Sequence, residues 1–196
     1  MAGHVALSLV IPVFNEAATI DLFIARITDV FKAEALVSLE MVFVNDGSTD
    51  TTLDLLLEHQ QSDPRVRVVD LSRNFGKEAA LTAGLQTATG QVVVPIDVDL
   101  QDPPEVILQM IALWRQGYEV VLGHRVSRNT DSWAKKTSAN WFYRLHNKIS
   151  DQPLPKDVGD FRLMDRCVVE ALESLPESRR FMKGLDRKST RLNSSH

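Results

Sequence analysis

Val92-Val93-Val94-Pro95-Ile96-Asp97-Val98-Asp99-Leu100-Gln101-Asp102 passes from a short, β-branched run into a string of acids and an amide. The apolar half reads as a buried strand. Asp97 and Asp99 then fall at its C-terminal end, two residues apart and on one side if strand geometry persists. In an open parallel sheet the carboxyl ends of the strands are where ligands bind. Two carboxylates and an amide placed there suit a divalent cation, which in turn neutralises a diphosphate.

The flanking sequence alternates strand and helix. Strand candidates cover residues 5–11, 41–44, 66–71, 91–96 and 119–122. Helix candidates cover 16–33, a segment capped by Thr49 or Asp50 with Leu53, Leu56 and Leu57 on one face, and 79–88, closed by Gly90. A fourth opens at Asp102-Pro103-Pro104, a capping residue before proline, and ends near Gly117. Strands separated by helices of this length imply parallel crossover units: an α/β fold with a doubly wound, mainly parallel sheet and helices on both faces.

Composition narrows the classes. At 196 residues and 44% hydrophobic, the chain can bury one sizeable core. A formal charge of −4 argues against a dedicated nucleic-acid binder. The single cysteine, Cys167, excludes an internal disulfide, and a reducing compartment fits. Residues 5–14 are apolar but lack a basic leader and contain Pro12, so they read as a first strand and not as a signal peptide. No segment approaches the ~18 uninterrupted apolar residues of a transmembrane helix.

After Gly123 the character changes. Arg125, Arg128, Lys135, Lys136, Arg144 and Lys148 stand against one acid, Asp131, with Trp133, Trp141, Phe142 and Tyr143 interleaved. On a helix, Trp133, Thr137, Trp141, Leu145 and Ile149 form one stripe. Such a helix suits anionic lipid headgroups, or else packs on the sheet with a solvated basic face. His124 and His146 have no metal-ligand spacing. Residues 186–196 show no period and no apolar face. They match one reading frame of a common sequencing adaptor, which suggests a non-native tail behind a domain at 1–185 that is cut short at its C-terminal end.

Three clusters terminate the first, second and fourth strands: Pro12-Val13-Phe14-Asn15-Glu16, Asn45-Asp46-Gly47-Ser48-Thr49-Asp50 and Asp97-Val98-Asp99-Leu100-Gln101. Each alone is compatible with a plain turn or cap. Together with Ser72-Arg73-Asn74-Phe75-Gly76-Lys77-Glu78 and Gly159-Asp160-Phe161-Arg162-Leu163-Met164-Asp165-Arg166, they make the chain resemble the N-terminal catalytic part of a family 2, GT-A-fold glycosyltransferase of the polyprenyl-phosphate branch. That branch holds bactoprenol glucosyltransferases, the closer fit, and dolichyl-phosphate mannose synthases. The match runs over residues 5–185.

The resemblance implies an inverting transfer of a hexose from a nucleotide sugar, of UDP-glucose or GDP-mannose type, to a polyprenyl phosphate. Pro12, Phe14, Glu16 and Asp46 would contact base and ribose; Asn45 stands where many relatives have a second Asp. Asp97 would approach the ribose or the metal, while Asp99 and Gln101 would hold Mg2+ or Mn2+. Arg125 and Arg128 are candidates to clamp the acceptor phosphate, since a guanidinium fork matches its oxygens, with a solvated surface arginine the alternative for Arg128. Asp160 is the position of the catalytic base, or orients Arg125 or the acceptor, and Arg162 pairs with either. Lys77 reaches the diphosphate or is a surface lysine. Full-length relatives imply a membrane-surface partner and the cytoplasmic face of the plasma membrane. A homo-oligomer is left open, as is a fragment that binds donor without transferring to lipid. A haloacid-dehalogenase-type phosphatase also begins strand then Asp-x-Asp, but Gln101 stands where Thr or Val is expected. Neither glycine fingerprint of dinucleotide or P-loop sites occurs.

Overall fold

A computed structural model describes residues 5–123 and 161–174, with the backbone of 142–144. Among the described residues seven strands form one sheet: β1 (Val5–Val13), β2 (Val37–Asn45), β3 (Val66–Asp70), β4 (Val92–Pro95), β5 (Val120–Gly123), β6 (Phe142–Arg144) and β7 (Arg162–Asp165). The helices are α1 (Ile20–Phe31), α2 (Thr52–Ser62), α3 (Lys77–Thr87), α4 (Glu105–Trp114) and α5 (Arg166–Glu173).

The strand order is β3-β2-β1-β4-β7-β5-β6. β1 pairs in parallel with both β2 and β4, and β2 with β3. β7 is inserted antiparallel between β4 and β5, and β6 closes antiparallel on β5. The chain therefore winds outward from β1 to β3, then returns to place β4 on the other side of β1. That reversal is a topological switch point, and it opens a crevice between the C-terminal ends of β1 and β4.

The sheet is apolar on both faces, as parallel strands buried by crossover helices require. Alternate β1 residues (Leu7, Leu9, Ile11) join Phe23 and Ile27 of α1, Leu56 of α2 and Ile107 of α4 in one core. Val10 points to the opposite face and meets Leu81 and Leu85 of α3 with Val169 and Leu172 of α5. Phe23 and Phe43 meet edge to face, their centroids 5.9 Å apart. α3 lies especially close to the sheet. A methyl group on Gly84 would stand 2.3 Å from Val10 Cγ1, so glycine is what permits that approach.

Several local expectations need correction. α1 starts at Ile20 and not near residue 16, because Asn15 adopts φ +56° and a turn closes from the Thr19 N–H to the Glu16 carbonyl at 3.0 Å. In α2, Leu56 is buried while Leu57 is 40% exposed. Gly90 does not cap α3. It is small because a Cβ there would lie 2.7 Å from the Ser8 amide nitrogen. Asp102 does not cap α4, whose N-cap is Pro104 without a side-chain bond. The helical stripe expected through residues 133–149 is broken by β6, where backbone pairing with β5 takes over residues 142–144. The rest of that stripe and the tail at 186–196 lie outside the described residues.

β7 and α5 carry no expectation from the sequence. Asp165 organises their junction, accepting from the Cys167 N–H at 2.9 Å and from Trp114 Nε1 of α4 at 2.6 Å. Burial pushes the Cys167 thiol up to about 11, with the Asp165 carboxylate beside it acting in the same direction.

Candidate active site

Three loops meet at the crevice, and their mutual hydrogen bonds explain their sequences. After β1, the Asn15 amide donates to Ser48 Oγ at 2.9 Å, and Asn15 Oδ1 accepts from the Thr49 N–H at 2.8 Å. The Glu16 amide donates to Thr52 Oγ1 at 2.9 Å. Asp50 Oδ1 accepts from the Thr52 N–H, the bond an N-cap would make, and that hydroxyl-bearing partner lowers its pKa. The first and second clusters are thus one interlocked unit.

The second cluster also holds the segment before α3. Asp46, only 4% exposed, accepts from the Phe75 N–H at 2.7 Å through Oδ1 and from the Gly76 N–H at 2.9 Å through Oδ2. Gly47, at φ +68°, leaves no room for a side chain: a Cβ would stand 2.4 Å from the Arg73 carbonyl carbon. Asn45 is buried and donates to Asp70 Oδ1 at 2.7 Å, tying β2 to β3. Gly76 adopts φ +93° and turns the chain into α3.

These loops enclose a cavity of about 360 Å³. Pro12, Phe14 and Glu16 form one wall, Asp46, Asn74 and Gly76 a second, and Asp97, Val98 and Asp99 the third, with Lys77 and Ala80 of α3 between. Every donor-site position expected from the sequence therefore reaches one cavity: Pro12, Phe14, Glu16, Asp46, Lys77 and Asp97. Phe14 is 44% exposed, an aromatic face open to solvent. Asp46 has committed both oxygens to backbone amides, yet each keeps a second lone pair for a ligand.

The acidic wall differs in detail from a continued strand. β4 ends at Pro95 and Leu100 takes φ +57°. Val98 is still buried, so Asp97 and Asp99 both remain on the cavity. Asp99 Oδ1 accepts from the Gln101 N–H at 3.0 Å. Asp97 forms an ion pair with Lys77, Nζ to Oδ1 at 2.7 Å. Gln101 is exposed beside this wall and does not line the cavity.

Among the described residues, no group of three or more acids, histidines or cysteines converges as a complete metal cage. Two rim carboxylates facing a cavity fit a hard cation in another way. Mg2+ characteristically takes one or two protein carboxylates and completes its shell with substrate phosphates and water. The donor set is all oxygen, as such a cation requires.

Sequence reasoning missed several wall residues. Asn74 and Gly76 carried a legible signal, a glycine placed directly before a helix. Phe161 stood within the quoted 159–166 motif but was given no role; it is 6% exposed and lines a small cavity of about 20 Å³ with Lys77, Asp97 and Asp102. β7 runs antiparallel to β4, so its start lies at this rim. Arg162 is 1% exposed there. Asp160, Arg125 and Arg128 lie outside the described residues.

Comparison with known proteins agrees with this geometry. Residues 8–172 match the model of glycosyl transferase family 2. The chain is 49% identical over 179 residues to a prophage bactoprenol glucosyl transferase homolog of Escherichia coli, covering 91% of this chain and 58% of that protein. It is equally similar, over the same shares, to the bactoprenol glucosyl transferase of Shigella phage SfX. It is 45% identical over 185 residues to the glycosyltransferase YkcC of Bacillus subtilis, covering 94% of this chain and 57% of that one. The chain thus spans a little over half the length of the curated relatives it matches. Among solved structures, a mannosyltransferase of Pyrobaculum calidifontis in complex with GDP-Man and Mn2+ superposes with TM-score 0.52 at 23% identity, covering 60% of this chain and 34% of that one. That likeness speaks for the fold, and the mixed, mostly co-directional sheet is the GT-A architecture. The family match and the relatives place this chain in glycosyltransferase family 2.

Proposed function

We propose that the chain carries the donor site and catalytic rim of an inverting glycosyltransferase that moves a hexose from a nucleotide sugar to a polyprenyl phosphate. The observation that carries this reading is the cavity at the β1/β4 switch point, which faces an exposed aromatic and two carboxylates across a space of about 360 Å³. The lipid acceptor is supported by the names of the bactoprenol glucosyl transferase relatives.

In this reading Pro12, Phe14, Glu16 and Asp46 receive the base and ribose, while Lys77 and the start of α3 face the diphosphate. Asp99 and Asp97 would hold Mg2+ or Mn2+, while Gln101, which does not line the cavity, steadies Asp99 through its N–H. When bound, the cation offsets charge on the leaving diphosphate. A phosphate oxygen of the acceptor bonds to the anomeric carbon as the bond from that carbon to the diphosphate breaks, and nucleoside diphosphate leaves with the electron pair. The acceptor phosphate, with a second pKa near ~6 by analogy with phosphorylated side chains, is already ionised, so no proton has to be removed. Positioning then dominates. Arg125 and Arg128 are assigned to hold the acceptor, and Asp160 to orient Arg125 or the acceptor, on the resemblance alone. Residues 1–185 are taken as the catalytic unit, with 186–196 outside it; a lipid acceptor fits a reaction at a membrane surface, and the cytoplasmic face is assigned on the resemblance alone. Among the described residues no helix is long and apolar enough to cross a membrane.

Calorimetric titration with UDP-glucose and GDP-mannose, with and without Mn2+, tests the donor site. Metal-dependent binding of one donor, lost in Asp99→Asn, is expected; a folded protein that binds neither overturns the reading. Incubation with labelled donor and polyprenyl phosphate then tests transfer. Donor binding without transfer would mean that the chain supplies the donor half of the reaction only.

A further inference from the structure

Lys77 and Asp97 link the first turn of α3 to the end of β4, and both line the large cavity and the small one adjoining it. The ammonium sits in the fork of the carboxylate, 2.7 Å from Oδ1 and 2.9 Å from Oδ2. Those oxygens face the same space as Asp99, so two cations compete for one carboxylate: a lysine already in the chain and a divalent ion from solution.

Charge balance bears on when each prevails. Lys77 stands beside Asp97 and Asp99 on a cavity that Glu16 and Asp46 also line. A divalent cation arriving alone would add two positive charges beside the lysine and shift the local charge by that amount. A divalent cation arriving with the two negative charges of a nucleotide-sugar diphosphate would leave it unchanged. The pair is also built to part. Both side chains are 44% exposed, and the lysine stem rises from a helix N-terminus, where the helix dipole favours an anion.

Resting on the donor-site reading above, we infer that Lys77 is an internal stand-in cation. It neutralises Asp97 in the empty site and weakens the binding of metal alone. It passes to the diphosphate when donor and metal enter together. The lysine thereby makes metal and donor binding depend on each other, and that coupling is reciprocal.

The test is Mn2+ uptake by the 196-residue chain, read from the resonance of free Mn2+, with no nucleotide present and then with UDP or GDP. Lys77→Met is expected to bind Mn2+ alone about two- to fivefold more tightly than the unaltered chain, the span of a half-exposed charge interaction, and the gain should shrink as salt rises. The same variant should bind UDP or GDP in chelator more weakly by a similar factor. Lys77→Arg, which keeps the charge, should behave like the unaltered chain, and Lys77→Gln repeats the neutral case independently. A lysine that merely supports the fold would weaken both ligands when removed. Unchanged or weaker Mn2+ binding by Lys77→Met and Lys77→Gln overturns the inference while leaving the donor site intact. Failure of the unaltered chain to take up Mn2+ even with nucleoside diphosphate overturns the donor-site reading, and the inference with it.

Discussion

Asp46 is the residue whose replacement most directly tests how the cavity is held open. Its carboxylate receives two backbone N–H groups, Phe75 at 2.7 Å and Gly76 at 2.9 Å, at a position only 4% exposed. Hydrogen bonds to a charged acceptor contribute about 1.5–3 kcal/mol each. In Asp46→Asn the carbonyl oxygen keeps one bond, now neutral and weaker. The amide NH2 faces the other N–H, a contact between two donors. Relief of the buried charge returns part of the loss, so a net destabilisation of about 2–3 kcal/mol is expected. Asp46→Ala loses both bonds but admits water from the adjoining cavity, and should cost no more than the asparagine. That ordering separates directional bonding from loss of volume. Urea unfolding gives the free energies, and amide exchange at Phe75 and Gly76 reports the bonds themselves. If both variants unfold within about 0.5 kcal/mol of the unaltered chain, the size of an ordinary surface substitution, with those two amides still protected, Asp46 does not hold this loop and the argument fails.

Three further outcomes are expected. Gly84→Ala should destabilise by about 1–3 kcal/mol through overpacking, despite alanine's better helix propensity, because the new methyl meets Val10 Cγ1 at 2.3 Å and Val44 Cγ2 at 3.0 Å; adding Val10→Ala should recover part of the loss in denaturant unfolding. Gly47→Ala combines φ +68° with a backbone collision at Arg73, so titration should show donor affinity falling at least tenfold as residues 73–76 are displaced. Glu40 gives a pH signature. Burial raises its pKa, but bonds from the Ser8 hydroxyl, the Thr89 amide and Arg67 outweigh that and hold the carboxyl below its ordinary value. A depressed folded pKa contributes stability that is present above the unfolded value of about 4.3 and lost as pH falls through the folded value. Glu40→Gln should therefore be about 2 kcal/mol less stable at pH 7, and the gap should close below about pH 4 in unfolding titrations. A gap that is constant with pH would show that the charge is irrelevant.

How much of this was legible in the sequence follows from the range of the forces involved. The alternation of strand and helix through residue 122 was readable because it depends on local periodicity, and the same patterning located the three clusters at strand ends. What failed was local geometry decided by distant partners. Gly90 had the sequence position of a helix cap, but Ser8, on another strand, is what requires it to be small. Asp102 preceded two prolines as a cap would, yet the helix begins beyond them. β7 was invisible because Arg162-Leu163-Met164-Asp165 is too short to show a period, and only pairing with β4 and β5 makes it a strand.

The site shows the same division more sharply. Residue types announced its chemistry: acids at a strand end, an aromatic near an acid, a lysine in the motif that follows the third strand. Their use depended on pairings across the crevice that no spacing encodes. Two carboxylates at one strand end repel one another unless a cation lies beside them. The chain supplies that cation from 20 residues upstream, the Lys77 ammonium in contact with Asp97. Asp46 was read as a ligand for base and ribose, while the structure shows it first bracing the Asn74-Phe75-Gly76 wall. The two roles are compatible for one physical reason. A carboxylate fixed by two amides has its orientation settled before a ligand arrives, so its remaining lone pairs can be offered without ordering a side chain on binding. Asp97 is held differently, by a flexible half-exposed lysine instead of a buried backbone. The wall braced by Asp46 should therefore recognise, and the wall held by Lys77 should yield. Amide exchange in the presence of UDP and Mn2+ checks this: protection at Phe75 and Gly76 should barely change, while protection at Gln101, whose N–H rests on Asp99, should rise.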